Sequence, residues 1–309
     1  MIISASRRTD IPAFYGTWFY NRLAEGFVCV RNPMNPRQVS RIELSPENID
    51  CLVFWTKNPE PFMHDLDRLN AYPYYFLFSL TPYFSSLEPG LPSKDQLMET
   101  FARLSDRIGK HRVVWRYDPI LFSDAIQVDY HVRKFREMAG FLSPYTERCV
   151  ISFLDMYRKC ERNLKNTTVR RPHDSEMEQL LREMKAISQD FGIALETCAE
   201  KKDWSNLGIQ LSRCIDNRLI ERITGKPFSA KIDKNQRAAC GCVESIDIGE
   251  YNTCLHFCRY CYANTNADEV KKKSQMHDPK SSVMIGELSS LDQVKPRKIS
   301  KFNGPGFFS

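Results

Sequence analysis

Short apolar runs alternate with longer segments of helical periodicity over residues 1–200. Apolar residues recur at helical spacing in Asp95–Ile108, Asp129–Phe141 and Ser175–Phe191. The apolar runs between these segments are rich in β-branched and aromatic residues, which favours buried strands. They occupy Met1–Ala5, Phe27–Val30, Cys51–Trp55, Tyr75–Leu80, Arg112–Tyr117, Cys149–Leu154 and Ile193–Glu196. The pattern predicts repeated βα units and a parallel sheet.

Seven predicted strands that alternate with helices indicate an α/β protein, and specifically a TIM-type (β/α) barrel, complete or nearly so. A doubly wound open sheet is the alternative. No G-x-G-x-x-G follows the first predicted strand, which weakens a dinucleotide-binding interpretation. We expect residues 1–200 to form the barrel and residues 201–264 to form a C-terminal cysteine-rich, cluster-binding segment packed on its rim. Residues 265–309 are expected to form a polar C-terminal tail.

The composition adds expectations about location and partners. The chain has 309 residues, of which 42% are hydrophobic and 27% charged, as in ordinary globular proteins. The beginning of the sequence lacks the pattern of a signal peptide, and no apolar run is long enough to span a bilayer. We therefore expect a cytoplasmic protein without a membrane partner. The net charge of +6 mildly favours an anionic partner, although a merely basic surface is the preferred explanation.

Polar and charged side chains follow the predicted strands. In (β/α) barrels the site is built where the strands end. Guanidinium and ammonium groups bind carboxylates and phosphates, so these side chains predict a small-molecule or anionic substrate. The alternative is a buried ion-pair network that ties the strand ends together. The predicted catalytic residues at these positions are Arg7, Arg8, Asp10, Lys57, Arg116 and Asp118.

The eleven cysteines are unevenly distributed, and three of them form the strongest motif in the chain. Cys254, Cys258 and Cys261 have the spacing C-x3-C-x2-C. Three thiolates on one loop can bind three corners of a cubane iron–sulfur cluster and leave one iron open. A structural zinc site, with His256 as the fourth ligand, is the alternative.

The string Asn252-Thr-Cys254-x3-Cys258-Arg-Tyr-Cys261-Tyr-Ala-Asn264 resembles the cluster motif of the radical S-adenosylmethionine superfamily, in the version found in spore photoproduct lyase and its relatives. The whole chain also resembles an uncharacterised bacterial family, domain of unknown function 1848. The segments that carry this second resemblance are Ser4–Pro12 and Asp247–Cys254. The radical superfamily resemblance implies a [4Fe-4S] cluster that cleaves S-adenosylmethionine to a 5′-deoxyadenosyl radical. It also implies an electron donor such as flavodoxin or ferredoxin, but it names no substrate.

The motif stands in an unusual place for the radical S-adenosylmethionine superfamily, where it generally follows the first barrel strand. Here it follows the seventh predicted strand, and a closed barrel would still bring it to the same rim. No Gly-Gly-Glu string of the kind that usually holds the methionine amino group is present. Tyr260 and Tyr262 flank Cys261 and could stack on adenine, with plain packing over the cluster as an equal alternative. The acidic residues Asp155 and Glu196 follow or end predicted strands and could bind ribose hydroxyls or the methionine ammonium, with a buried ion-pair network as the alternative.

Four further cysteines precede the motif: Cys198, Cys214, Cys240 and Cys242. Together they could fully ligate a second iron–sulfur cluster or a zinc ion. Cys198 and Cys214 could equally be ordinary buried thiols, because free cysteine is among the most buried residue types.

Three functions therefore follow from the sequence. The first is a radical S-adenosylmethionine enzyme of unknown substrate. The second is an enzyme that repairs or modifies nucleic acid, by analogy with spore photoproduct lyase, although the chain has no dense basic stripe. The third is a non-catalytic barrel that carries a structural zinc or a sensing cluster.

Overall fold

The computed structural model describes residues 1–298, which form an α/β structure. Its strands, in chain order, are β1 (Ile2–Ala5), β2 (Phe27–Asn32), β3 (Asn35–Glu43), β4 (Cys51–Thr56), β5 (Tyr74–Ser79), β6 (Val113–Ile120), β7 (Arg148–Phe153), β8 (Ala194–Thr197), β9 (Gln210–Leu211), β10 (Ile246–Asp247) and β11 (Gln293–Pro296). Its helices are α1 (Ile11–Phe14), α2 (Gly16–Glu25), α3 (Glu60–Met63), α4 (Lys94–Ile108), α5 (Val128–Leu142), α6 (Arg158–Leu164), α7 (Asp174–Asp190), α8 (Asn217–Thr224) and α9 (Ala267–Ser274). Short 3-10 turns occupy Leu66–Leu69, Lys110–Arg112 and Ser205–Leu207. The predicted α/β class is confirmed.

The main sheet has eight strands in the order β10-β1-β4-β5-β6-β7-β8-β9, and all neighbouring pairs are parallel. From β1 to β9 the order follows the chain, without the reversal that marks a doubly wound sheet. Within residues 1–298 no pairing joins β9 to β10, so the hydrogen-bonded ladder ends at these two strands. Six of the seven predicted strands lie in this sheet.

The two faces of the sheet pack against different parts of the chain, because side chains alternate along each strand. Residues such as Phe54, Phe76 and Trp115 contact the apolar faces of α4, α5 and α7. Residues on the opposite face, such as Val53 and Tyr75, are covered by apolar and cysteine side chains from positions 198–243. The predicted helices therefore share one face, and the cysteine-rich segment covers the other.

The second predicted strand lies outside the main sheet, which corrects the expectation that it belongs to a βα unit. β2 pairs antiparallel with β3, and β11 completes a separate three-stranded sheet. Only Pro33 and Met34 separate β2 from β3, and so short a connection permits an antiparallel hairpin but no parallel crossover. The sequence pattern missed β3 because most of its residues are polar and exposed.

Part of the predicted polar tail packs against the rest of the protein. β11 pairs with β3, and the Arg31 guanidinium donates two hydrogen bonds to the Asp292 carboxylate at 2.8 and 2.9 Å. The indole N–H of Trp18 donates to the Ser281 carbonyl at 2.9 Å. Residues 299–309 of this tail lie outside the described residues. In the described part of the chain, no helix combines the length and apolar character needed to cross a membrane.

Candidate metal centre

The loop that carries the C-x3-C-x2-C motif begins beside the end of β1. β10 pairs in parallel with β1, and the Asp247 carboxylate at its end accepts hydrogen bonds from the Ser6 hydroxyl at 2.6 Å and the Arg7 backbone N–H at 2.8 Å. The motif thus follows a strand next to β1, at the carboxyl ends of the parallel strands β1, β4 and β5. The sequence pattern missed this strand because it is only two residues long.

A turn after β5 that contains Gly90 holds the motif loop through two backbone hydrogen bonds. The Gly90 N–H donates to the His256 carbonyl at 3.0 Å, and the Arg259 N–H donates to the Leu87 carbonyl at 3.0 Å. A Cβ atom at Gly90 would lie 2.6 Å from the Leu255 carbonyl oxygen and 2.8 Å from the His256 Cα. Only glycine allows this approach, so the local sequence of the turn determines where the motif sits.

The three motif thiols lie close enough to influence one another. Cys258 is buried, while Cys254 and Cys261 are half-buried. Burial raises the pKa of all three thiols, and at Cys254 the other two raise it further. The Lys57 ammonium opposes this increase in pKa at Cys258 and Cys261.

The donor set fits a cubane cluster. The three sulfurs are soft donors on one short loop, as iron–sulfur clusters require. The Ala263 backbone N–H also donates to Cys261 Sγ at 3.4 Å, and hydrogen bonds to sulfur of this kind tune cluster potentials. Metal binding would displace the thiol protons that burial otherwise retains.

Asp10 joins the motif loop to the ends of two strands. One carboxylate oxygen accepts from the Ala13 N–H at 3.0 Å and begins α1. The other accepts from the Lys57 backbone N–H at 2.7 Å and lies 2.8 Å from His256 Nε2. The second ring nitrogen of His256 faces the Gly90 carbonyl at 3.3 Å. Both nitrogens therefore face oxygen atoms, which weakens the alternative in which His256 completes a zinc site.

A buried carboxylate, Glu88, organises the other side of the motif. Its side chain is 1% exposed and accepts from Lys57 Nζ at 2.8 Å, from the Thr81 hydroxyl at 2.9 Å, and from Lys94 and the Tyr260 hydroxyl. Burial would raise the pKa of Glu88, but the two lysines lower it to about 2. Sequence reasoning missed Glu88 because it lies in an irregular turn, with no periodicity or motif to mark it.

Arg7 and Arg116 both lie near the ring of Trp55, the penultimate residue of β4. Their guanidinium carbons are 5.1 and 4.7 Å from the centre of the Trp55 ring system. Arg116 pairs with the Asp118 carboxylate, which also accepts from the Ser152 hydroxyl. The Arg7 Nη2 and Arg116 Nε atoms are buried and have no hydrogen-bond partner among residues 1–298. Three of the predicted catalytic residues, Arg7, Arg116 and Asp118, are thus brought together around Trp55.

The four upstream cysteines also come together, on the face of the sheet opposite the helices. Cys198 Sγ lies 3.3 Å from Cys214 Sγ. Cys242 Sγ accepts a hydrogen bond from the Ile215 backbone N–H at 3.4 Å, and interaction with the Cys214 and Cys240 thiols lowers the pKa of Cys242. Hydrogen bonding to Cys214 likewise lowers the pKa of Cys198, and Arg116 lowers it further. The sulfurs form a chain of neighbours, and within residues 1–298 no three Cys, His, Asp or Glu side chains are arranged as a finished metal site.

The remaining predicted site residues have separate surroundings. Glu196 pairs with Arg148, the first residue of β7, at 3.2 Å, which places it toward the opposite edge of the sheet. Asp155 forms a half-exposed pair with Arg237. The Tyr262 hydroxyl donates to the Arg7 carbonyl at 2.8 Å, and its side chain is 44% exposed.

Arg8 lies over the Tyr251 ring and donates to the Gly249 carbonyl at 3.2 Å. Its Nε is 3.8 Å from the Asp247 carboxylate. Arg8 therefore lies beside the segment that leads into the motif.

The fold and site define a class: an α/β protein whose parallel sheet carries a three-cysteine loop beside the end of its first strand. The chain matches the family model described as domain of unknown function (DUF1848) over residues 2–263, and it belongs to that family. The matched range includes all seven cysteines of the two groups. Comparison with curated proteins gives no match, and neither does comparison with solved structures.

Proposed function

We propose that this protein is an iron–sulfur enzyme of the radical S-adenosylmethionine type, acting in the cytoplasm on a small anionic substrate. One observation carries the proposal: three mutually interacting cysteine thiols on a clamped loop, next to the Lys57 ammonium. Cys254, Cys258 and Cys261 would hold a [4Fe-4S] cluster. When bound, this group supplies the one-electron cleavage of S-adenosylmethionine that yields a 5′-deoxyadenosyl radical.

The residues around the loop have supporting roles. Lys57 offsets the negative charge of thiolate ligands, and Glu88 keeps Lys57 charged and in place. Asp10 positions the loop through His256. Tyr260 helps to hold Glu88 in place, because its hydroxyl donates a hydrogen bond to the Glu88 carboxylate. Together these contacts hold the loop rigidly and exclude water from its buried side.

Two residues are suited to S-adenosylmethionine itself. Tyr262 is adjacent to Cys261 and is 44% exposed, so its ring can stack on adenine. The Arg8 guanidinium beside Gly249 suits a carboxylate. An electron donor such as flavodoxin or ferredoxin would supply the reducing electron.

We also propose that the sheet curves into an incomplete barrel. Its strands follow chain order and its long helices share one face, as in (β/α) barrels, whereas a doubly wound sheet has helices on both faces. The inner face would then hold Arg7 and Arg116 beside Trp55, in a setting suited to negative charge.

The test is anaerobic purification and reconstitution of the full chain, with iron and sulfide counted and the reduced electron paramagnetic resonance spectrum recorded with and without S-adenosylmethionine. We expect a cubane signal that changes when S-adenosylmethionine is added and is lost in the variant Cys254→Ala/Cys258→Ala/Cys261→Ala. Cys149→Ala is the matched control, since Cys149 is a buried cysteine outside both groups. A cluster that does not respond to S-adenosylmethionine, or zinc at the motif, would refute the proposal.

A further inference from the structure

Four cysteines from three separate segments of the chain meet on the face of the sheet opposite the long helices. Cys198 directly follows β8, Cys214 lies between β9 and α8, and Cys240 and Cys242 lie in the long connection before β10. Cys198, Cys214 and Cys242 are buried among apolar residues, and Cys240 packs beside them. These thiols have no part in the function proposed above.

We propose that Cys198, Cys214, Cys240 and Cys242 bind a single tetrahedral metal ion, of the kind that zinc forms with four thiolates. This second site is independent of the cluster at the C-x3-C-x2-C loop. It would attach the segment around positions 198–243 to the face of the sheet that no long helix covers.

The sulfur separation favours one ion over a cluster. Zinc binds thiolates at about 2.3 Å, so tetrahedral geometry separates neighbouring sulfurs by about 3.8 Å. The sulfurs of Cys198 and Cys214 are already 3.3 Å apart, and Cys242 belongs to the same buried cluster, with Cys240 packed against it. In a cubane each thiolate binds a different iron, which spreads the sulfurs further apart. Half-buried Cys240 can turn between staggered rotamers to close the set.

The charges around the four thiols support the same conclusion. Four thiolates around a divalent ion leave two negative charges, which a buried site must balance. Arg7, Arg116 and Arg237 each interact electrostatically with at least one of these thiols. The Arg7 Nη2 and Arg116 Nε donors are buried and find no partner in the described part of the chain, and Arg116 is only 7% exposed. An anionic metal–thiolate centre would supply the acceptors that these groups lack.

The test is elemental analysis of the purified full chain, together with cobalt substitution. We expect about one zinc per chain in the wild type and in the triple variant Cys254→Ala/Cys258→Ala/Cys261→Ala. The double variant Cys198→Ser/Cys240→Ser removes two of the four ligands and should lose most of that zinc. The control Cys149→Ser should retain it. Cobalt in place of zinc should give the visible absorption of a tetrahedral tetrathiolate site.

Several results would overturn the proposal. These are wild-type protein without zinc, zinc retained by the double variant, or a Cys198–Cys214 disulfide in metal-free protein. A second set of iron and sulfide that survives in the triple variant would instead indicate a cluster at these cysteines. If the double variant does not fold, the cobalt spectra of the wild type and the triple variant decide the question. Because the triple variant removes only the motif, the two proposals fail separately.

Discussion

Replacing Glu88 with glutamine should test how the motif loop is held. Glu88→Gln keeps the size and shape of the side chain but removes its charge. Lys57 and Lys94 would then be left without their counter-charge, and Lys57 is only 14% exposed. The Tyr260 hydroxyl would lose a charged acceptor at the same time.

The lowered pKa of Glu88 and the burial of its ion pairs indicate a similar loss of folding stability. The pKa of Glu88 falls from 4.5 to about 2, and a shift of this size corresponds to about 3 kcal/mol. Removing one partner of a buried ion pair typically costs about 3–5 kcal/mol, because the remaining charge is uncompensated. We therefore expect Glu88→Gln to lower the free energy of unfolding by about 3–5 kcal/mol.

The assay is urea unfolding of the full chain at pH 7, followed by tryptophan fluorescence, with Glu60→Gln as the matched control. Glu60 also accepts hydrogen bonds from a basic side chain and a threonine hydroxyl, those of Arg103 and Thr100, but its side chain is 45% exposed. Its loss should cost less than about 1 kcal/mol. Equal costs for the two variants would show that Glu88 is not the buried counter-charge described here.

Three other perturbations have defined outcomes. Burial lowers the pKa of His131 from 6.5 to about 4, so its neutral form should contribute about 3 kcal/mol to stability that is lost as the pH falls from 6.5 to 4. Across this range the free energy of unfolding should depend less on pH in His131→Gln than in the wild type, and an unchanged pH profile would contradict the assignment. Gly90→Ala should lower the free energy of unfolding in urea by about 1–3 kcal/mol, because the added Cβ overlaps the motif loop. The control Gly140→Ala in α5, where the nearest contact of the added Cβ is 3.4 Å, should not lower it, and equal effects of the two variants would show that the Gly90 turn does not hold the loop. Arg31→Ala should increase hydrogen exchange in β11 a few-fold, since it removes both bonds to Asp292, and unaltered exchange would show that other contacts hold the tail.

The sequence by itself determined the repeating βα units and the α/β class. The apolar periodicities of strands and helices are strong, local signals, because burial of one face constrains each element separately. Predicted strands such as Cys51–Trp55 and helices such as Asp95–Ile108 agree with β4 and α4 to within a residue. The spacing of Cys254, Cys258 and Cys261 was visible for the same reason, since all three ligands lie in one short stretch.

Only the tertiary structure decided which distant residues meet. Periodicity contains no information on partners far along the chain, so it could not separate the β2–β3 hairpin from the main sheet or detect the two-residue strand β10. The pairing of β10 with β1 brings the motif to Asp10 and Lys57, and a turn with no local signature contributes Glu88. The four upstream cysteines are likewise neighbours only because long connections fold back over the sheet. Such contacts depend on packing and charge balance across the whole fold, which no local pattern encodes.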